Sequence, residues 1–246
     1  MVHVRLSPMD FGNMRFRSAM EAMAKFLCSH VEYWENFCDI ICESYSWSLE
    51  TYKSELKDWL DVIRKRRCKG SADDEYIERI ERLFHLCRKP ADINDMRGLA
   101  PEYVFYWICK TQAGEERWSI VQGCSVSLDQ KMVQCAHEDA SKKTVDLGAW
   151  HFQWQYGVFA EIKVSPYSFQ EIDARYLLVL REMLQDCDGV HYHICLFSLE
   201  EEGFMETKAE QAGFTIAEDT VVLHRNDIFS VNPLQARENA CLRLKR

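Results

Sequence analysis

The stretch VFAEIKVSP, residues 158–166, constrains this chain more than any other. Val158, Ala160, Ile162 and Val164 alternate with Phe159, Glu161, Lys163 and Ser165. That is the two-residue period of a β-strand with one apolar face and one mixed face. A strand that sets a carboxylate and an ammonium two residues apart on one face is either a solvated edge with an ion pair or part of a charged site.

The 246 residues suffice for one large domain or two small ones, and 47% hydrophobic with 12% aromatic residues can build a sizeable core. The longest apolar runs, Tyr103–Cys109 and His191–Phe197, fall far short of the roughly 20 residues that span a bilayer. MVHVRLSPMDFG has no apolar signal-peptide core. The expectation is a soluble, cytoplasmic protein with no membrane partner. The eleven cysteines are odd in number, scattered through apolar stretches, and contain no CxxC. They read as buried free thiols rather than as a disulfide framework. Cys38 with Cys42, and Cys124 with Cys135 near His137, are the only pairings that suggest a metal or redox site.

A formal charge of −9 argues against an obligate nucleic-acid binder. Local charge is less one-sided. Arg64, Lys65, Arg66, Arg67 and Lys69 cluster, and the tail LRLKR is basic. These residues suit either phosphate contacts or a solvated helix end favoured by the helix dipole.

Residues up to about 90 read as three helices. Met20, Met23, Leu27, Val31 and Trp34 form an apolar stripe in the first. The second starts at Ser48 and stops in a basic turn before Gly70; the third starts at Asp73 or Asp74 and stops at Pro90. Residues 90–100 have turn character, and Pro101 suits the first turn of a short helix. RWSIVQGCSVSL is β-like, and DQKMVQCAHEDASKK is polar and irregular. TVDLGAW and GVFAEIKVS read as two strands with a hairpin corner at Gly157. SFQEIDARYLLVLREMLQDC reads as an amphipathic helix burying Ile172, Tyr176, Val179, Leu180 and Met183, and HYHICLFS as a strand. A short helix and the strand TVVLHR follow. A helix between two strands predicts a crossover and a mixed sheet. The division is a helical region over residues 1–95 and an α/β domain over 96–246.

If TVDLGAW is a strand, Val145, Leu147 and Ala149 face the core and Asp146 faces the other way. A hairpin brings Asp146 beside Glu161, and Lys163 shares the face of Glu161. Two carboxylates and a lysine in one patch suit phosphodiester hydrolysis. Mg²⁺ takes one or two carboxylates with waters and phosphate oxygens, polarises the phosphate and helps ionise water. The lysine orients that water and stabilises charge on the transition state.

With Asp146 followed by Glu161-Ile162-Lys163 on two strands of an α-β-β-β-α-β order, residues 96–200 resemble the PD-(D/E)xK, or restriction-endonuclease-like, nuclease superfamily. Val145-Asp146 stands where the family usually has Pro-Asp. The resemblance implies Mg²⁺ (or Mn²⁺) held by Asp146, Glu161 and the Ile162 carbonyl, with Lys163 positioning water. Glu102 stands where many members carry a helper glutamate. The implied activity is cleavage of DNA, with RNA left open, in a role such as restriction or antiviral defence. Gln170 and Tyr176 miss the Gln-x-x-x-Tyr spacing of the exonuclease branch, though Gln170 or Arg175 remain candidates for phosphate. His191 and His193 are weaker candidates. There is no Gly-rich phosphate loop, no HExxH and no GxSxG. Two further readings stay open: a non-catalytic interaction protein that keeps the nuclease fold, with the helical region binding a protein partner or a second copy, and a metal or redox sensor built on the cysteines.

Overall fold

The computed structural model describes residues 2–9, 14–65, 70–114, 117–137, 140–200 and 204–235. The chain forms two compact units, residues 11–107 and residues 1–10 with 108–246.

The first unit is helical. Helices α1 (Met14–Ser29), α2 (Trp34–Glu43), α3 (Tyr52–Arg64) and α4 (Ser71–His85) precede α5 (Pro90–Ala113). The first expected helix is two. His30 leaves helical conformation (φ −136°, ψ 66°), and a 3₁₀ turn over Val31–Tyr33 redirects the chain. Val31 is therefore 50% exposed, while Met20, Met23, Leu27 and Trp34 are buried as expected. The redirection stacks Tyr33 on Tyr76 (centroids 4.7 Å apart) and sets it against the tilted ring of Phe26 (5.4 Å). The Tyr33 hydroxyl donates to Asp73 Oδ1 (2.8 Å), whose other oxygen accepts from Gly70 N–H (2.9 Å) and starts α4.

Residues 90–100 are helix, a correction to the expected linker. Pro90 opens α5, where a missing N–H is harmless, and Asp92 Oδ2 accepts from the N–H groups of Arg88 and Lys89 (2.7 and 3.0 Å). Ile93, Met96, Ala100, Val104 and Ile108 then form a continuous buried stripe. That burial outweighs the one backbone hydrogen bond Pro101 removes inside the helix. The expected division at 95/96 therefore falls within α5, whose last turns belong to the second unit.

The second unit is α/β. Its strands are β1 (Val4–Pro8), β2 (Trp118–Leu128), β3 (Lys131–Met132), β4 (Cys135–His137), β5 (Ala140–Lys142), β6 (Val145–His151), β7 (Tyr156–Lys163), β8 (His191–Ser198) and β9 (Thr220–His224). Helix α6 (Glu171–Gln185) joins β7 to β8, and α7 (Phe204–Gln211) precedes β9. The main sheet runs β1-β2-β6-β7-β8-β9, with β3 paired to β2. Neighbours from β1 to β7 are antiparallel, and β7–β8 and β8–β9 are parallel. The mixed sheet and the helical crossover are thus as expected; the first strand, β1, lies outside the expected order. Strands β4 and β5 form a separate two-stranded sheet.

Both faces of the central strands are buried. Leu147, Ala149, Val158 and Ala160 lie on one face; Trp150 and Phe159 on the other join Leu177, Leu180, Leu184, Ile194 and Leu196 in the core. A Cβ on Gly148 would lie 2.7 Å from Cys124 Sγ and 3.0 Å from Leu6, so only glycine lets β6 approach here. The buried side of α6 is rotated from expectation. Asp173, Ala174, Tyr176, Leu177, Leu180, Arg181 and Leu184 are buried, whereas Ile172, Val179 and Met183 are half-buried. Arg181 tolerates burial because Thr215 O, Thr220 Oγ1 and Asp219 Oδ1 take its guanidinium at 2.7–3.0 Å.

Candidate active site

The site forms where β6 and β7 part. Their ladder ends at Leu147↔Ala160, one residue short of pairing Asp146 with Glu161. The Asp146 carboxylate replaces the missing backbone bond, and its Oδ2 accepts from Ile162 N–H at 2.7 Å. The N–H and C=O of one residue in an extended strand point to the same side. The Ile162 carbonyl therefore faces the same gap as Asp146. Glu161 and Lys163 point together from β7 to the α6 side of the sheet, and the Lys163 ammonium donates to Glu161 Oε1. Lys163 Nζ also lies 4.0 Å from Asp146 Oδ2. Asp146, Glu161, the Ile162 backbone and Lys163 are brought together within this unit.

Two residues join them that the sequence reading missed. Asp173, in the first turn of α6, accepts from Gln170 N–H through Oδ2 (2.8 Å), so a helix cap fixes its position. Lys142, at the end of β5, donates to Glu161 Oε1 (2.6 Å) and Asp173 Oδ1 (2.5 Å). Lys163 Nζ stands 3.5 Å from Asp173 Oδ2. Three carboxylates thus share two ammonium groups. The side chain of Glu161 is 0% exposed, those of Lys142 and Lys163 are 14% and 16% exposed, and that of Asp146 is 21% exposed.

Burial, helped by Asp146, pushes the Glu161 carboxyl up to about 7, against the pull of Lys163 and Lys142. Burial opposes the charge on both lysines, but the surrounding carboxylates outweigh it and hold both above the usual range. Burial likewise opposes ionisation of Asp173, and the two lysines overcome it and hold the group low. The second oxygen of Glu161, Oε2, is buried without a hydrogen-bond partner. An oxygen left so carries a desolvation penalty that a bound cation would relieve.

That orphaned oxygen, with Asp146 and the Ile162 carbonyl, is a hard-oxygen set of the kind Mg²⁺ or Mn²⁺ takes. No cluster of three or more His, Cys, Asp or Glu side chains arranged for a metal occurs among the described residues. Mg²⁺ needs only one or two protein carboxylates, because water and phosphate complete its shell.

Glu102 is on α5, in the helical unit. Arg175 is held by Glu171 at 2.6 Å. His193 is buried; its Nδ1 lies 2.6 Å from the Tyr156 hydroxyl and its Nε2 2.9 Å from the Pro233 carbonyl. The carbonyl can only accept, so Nε2 carries the proton. His191 is exposed. Arg64 is paired with Glu81 (2.6 Å) and Lys65 with Asp61 (3.8 Å); Arg66, Arg67, Lys69 and the basic tail lie outside the described residues. Burial pushes the thiols of Cys28, Cys87 and Cys124 up to about 11, 12 and 12. These thiols stay protonated at neutral pH.

Among the described residues no helix is long and apolar enough to cross a membrane. No protein-family model matches the chain, and comparison with curated proteins finds no significant match.

Proposed function

We propose that the α/β unit is a restriction-endonuclease-like domain that hydrolyses phosphodiester bonds of DNA with Mg²⁺ or Mn²⁺. The observation that carries this is the meeting of Asp146, Glu161 and Lys163 at the parting of β6 and β7, on a mixed sheet in which β2, β6 and β7 are antiparallel neighbours and β8, reached through α6, is parallel to β7. Asp146, Glu161 and the Ile162 carbonyl would hold the ion. Bound there, it would supply Lewis-acid polarisation of a phosphate oxygen and ease ionisation of water. The Ile162 N–H holds Asp146 in the gap. The Lys163 ammonium, beside both carboxylates, orients the attacking water and stabilises charge that builds on phosphorus-bound oxygen.

Labelled duplex DNA tests this, with an RNA duplex as the parallel arm. The wild-type chain should cut in Mg²⁺ or Mn²⁺ and not in EDTA, and Lys163→Met should abolish cutting while keeping its circular dichroism. Equal cutting by the two proteins would remove the mechanism.

A second reading is an interaction protein that keeps this fold without catalysis. The full burial of Glu161 under two ammonium groups favours it. It requires that substitution of Asp146 or Glu161 leave function unchanged and that Mg²⁺ give no stabilisation.

A further inference from the structure

The small β4–β5 sheet pairs with itself rather than with the main sheet and packs mainly on α6. Yet it delivers Lys142 into a buried charge cluster, against the fully buried Glu161. We propose that Lys142 is a tethered counter-cation that bridges Glu161 and Asp173 and competes with the divalent ion for Glu161, and that the ion enters by displacing it. This rests on the nuclease reading above.

Three observations carry the proposal. First, Lys142 Nζ bridges two carboxylates on different elements, at 2.6 Å from Glu161 and 2.5 Å from Asp173. A cation bridging converging carboxylates sits as a metal would. Second, Glu161 spends only Oε1 on the lysines, and its buried Oε2 has no partner. The carboxylate keeps capacity for a ligand that accepts both oxygens. Third, the cluster sets three carboxylates against two ammonium groups. Exchanging one single positive charge for a double one makes the formal charge zero.

The two lysines differ in how they are anchored. The Lys163 backbone is held in the main sheet, opposite Ser198 on β8, and its carbonyl accepts from Leu199 N–H (3.3 Å). Lys142 stands on a three-residue strand outside that sheet, tied to α6 by its own ion pair and by His137 Nε2 at 3.4 Å from Glu171. A flexible four-carbon stem lets it withdraw without breaking any main-sheet pairing. Lys163 therefore stays as the lysine of the reaction, and Lys142 yields.

The test is Mn²⁺ titration by calorimetry on the full chain, for wild type, Lys142→Met and Lys142→Arg, with hydrogen exchange of the β4 and β5 amides in wild type with and without Mn²⁺. Lys142→Met removes the competitor and should bind Mn²⁺ at least about tenfold more tightly than wild type, about 1.4 kcal/mol. Lys142→Arg should bind no more tightly than wild type. Mn²⁺ should speed exchange in β4 and β5 of wild type as Lys142 lets go. If Lys142→Met fails to fold, the exchange measurement decides alone. Wild-type binding with unchanged β4–β5 exchange and no gain in Lys142→Met overturns the displacement and leaves the nuclease reading standing. No Mn²⁺ binding by wild type or Lys142→Met overturns both.

Discussion

Replacing Glu161 by glutamine should make the protein more stable at alkaline pH, and the size of the effect follows from the site. Glu161 is fully buried, and burial lifts its carboxyl from the ordinary 4.5 to about 7. The folded chain therefore binds this proton more tightly than the unfolded chain. Stability from the protonated group is complete below pH 4.5, declines as pH rises, and is gone above pH 7. At about 1.36 kcal/mol per tenfold, the ionised group costs the fold on the order of 3 kcal/mol at pH 8. Glutamine keeps an oxygen for Lys142 and Lys163 and carries no charge. Lys142 retains Asp173, and Lys163 retains Asp146 and Asp173. Because the two compact units need not unfold together, a local probe is required. Hydrogen exchange of β7 and β8 amides, in EDTA, compares the two proteins at pH 5 and pH 8. The expected result is exchange only about fourfold slower in Glu161→Gln at pH 5 and about a hundredfold slower at pH 8, the latter matching roughly 3 kcal/mol. A variant that exchanges faster than wild type at pH 8 would refute the reasoning and make Glu161 a satisfied structural ion pair.

Other perturbations follow from the same packing. Gly148→Ala places a Cβ 2.7 Å from Cys124 Sγ and should cost about 1–3 kcal/mol in urea unfolding, with partial recovery in the Cys124→Ala background. Tyr176 buries its hydroxyl without a hydrogen-bond partner, so Tyr176→Phe should be neutral or stabilising by a few tenths of a kcal/mol. A loss above about 1.5 kcal/mol would show that an ordered water serves that hydroxyl. Tyr156→Phe removes the donor to buried His193 Nδ1 and should cost about 1–3 kcal/mol, read from exchange of β8 amides.

Much of the α/β unit is legible in the sequence because strand periodicity survives wherever a sheet is buried. TVDLGAW, VFAEIKVSP and HYHICLFS each lie over a strand, and the two-residue spacing of Glu161 and Lys163 sets them on one face. Strand β1 was equally readable, since Val2, Val4 and Leu6 alternate, but its partner β2 lies more than a hundred residues away. Helix α5 was misread because Pro101 and Gly98 are local signals, and the stripe from Ile93 to Ile108 overrides them through burial. The first expected helix fails at His30, where no strong breaker stands in the sequence.

The site was half legible. Asp146, Glu161 and Lys163 follow from strand register. Asp173 had a signal, an aspartate three residues after Gln170 at a helix start, but that pattern reads as a cap and only the structure shows its other oxygen on Lys142. Lys142 had none. It is one lysine of a polar run, and its role depends on a two-stranded turn whose pairing is not periodic enough to read.

The central claim is metal-dependent cleavage at the Glu161–Lys163 strand. Supercoiled plasmid should be incubated with wild type, Glu161→Ala and Lys163→Ala in Mg²⁺, Mn²⁺ or EDTA, scoring nicked and linear product. The account predicts cutting by wild type with either ion, none in EDTA, and none by either variant. Cutting that persists in EDTA, or in either variant, would contradict it.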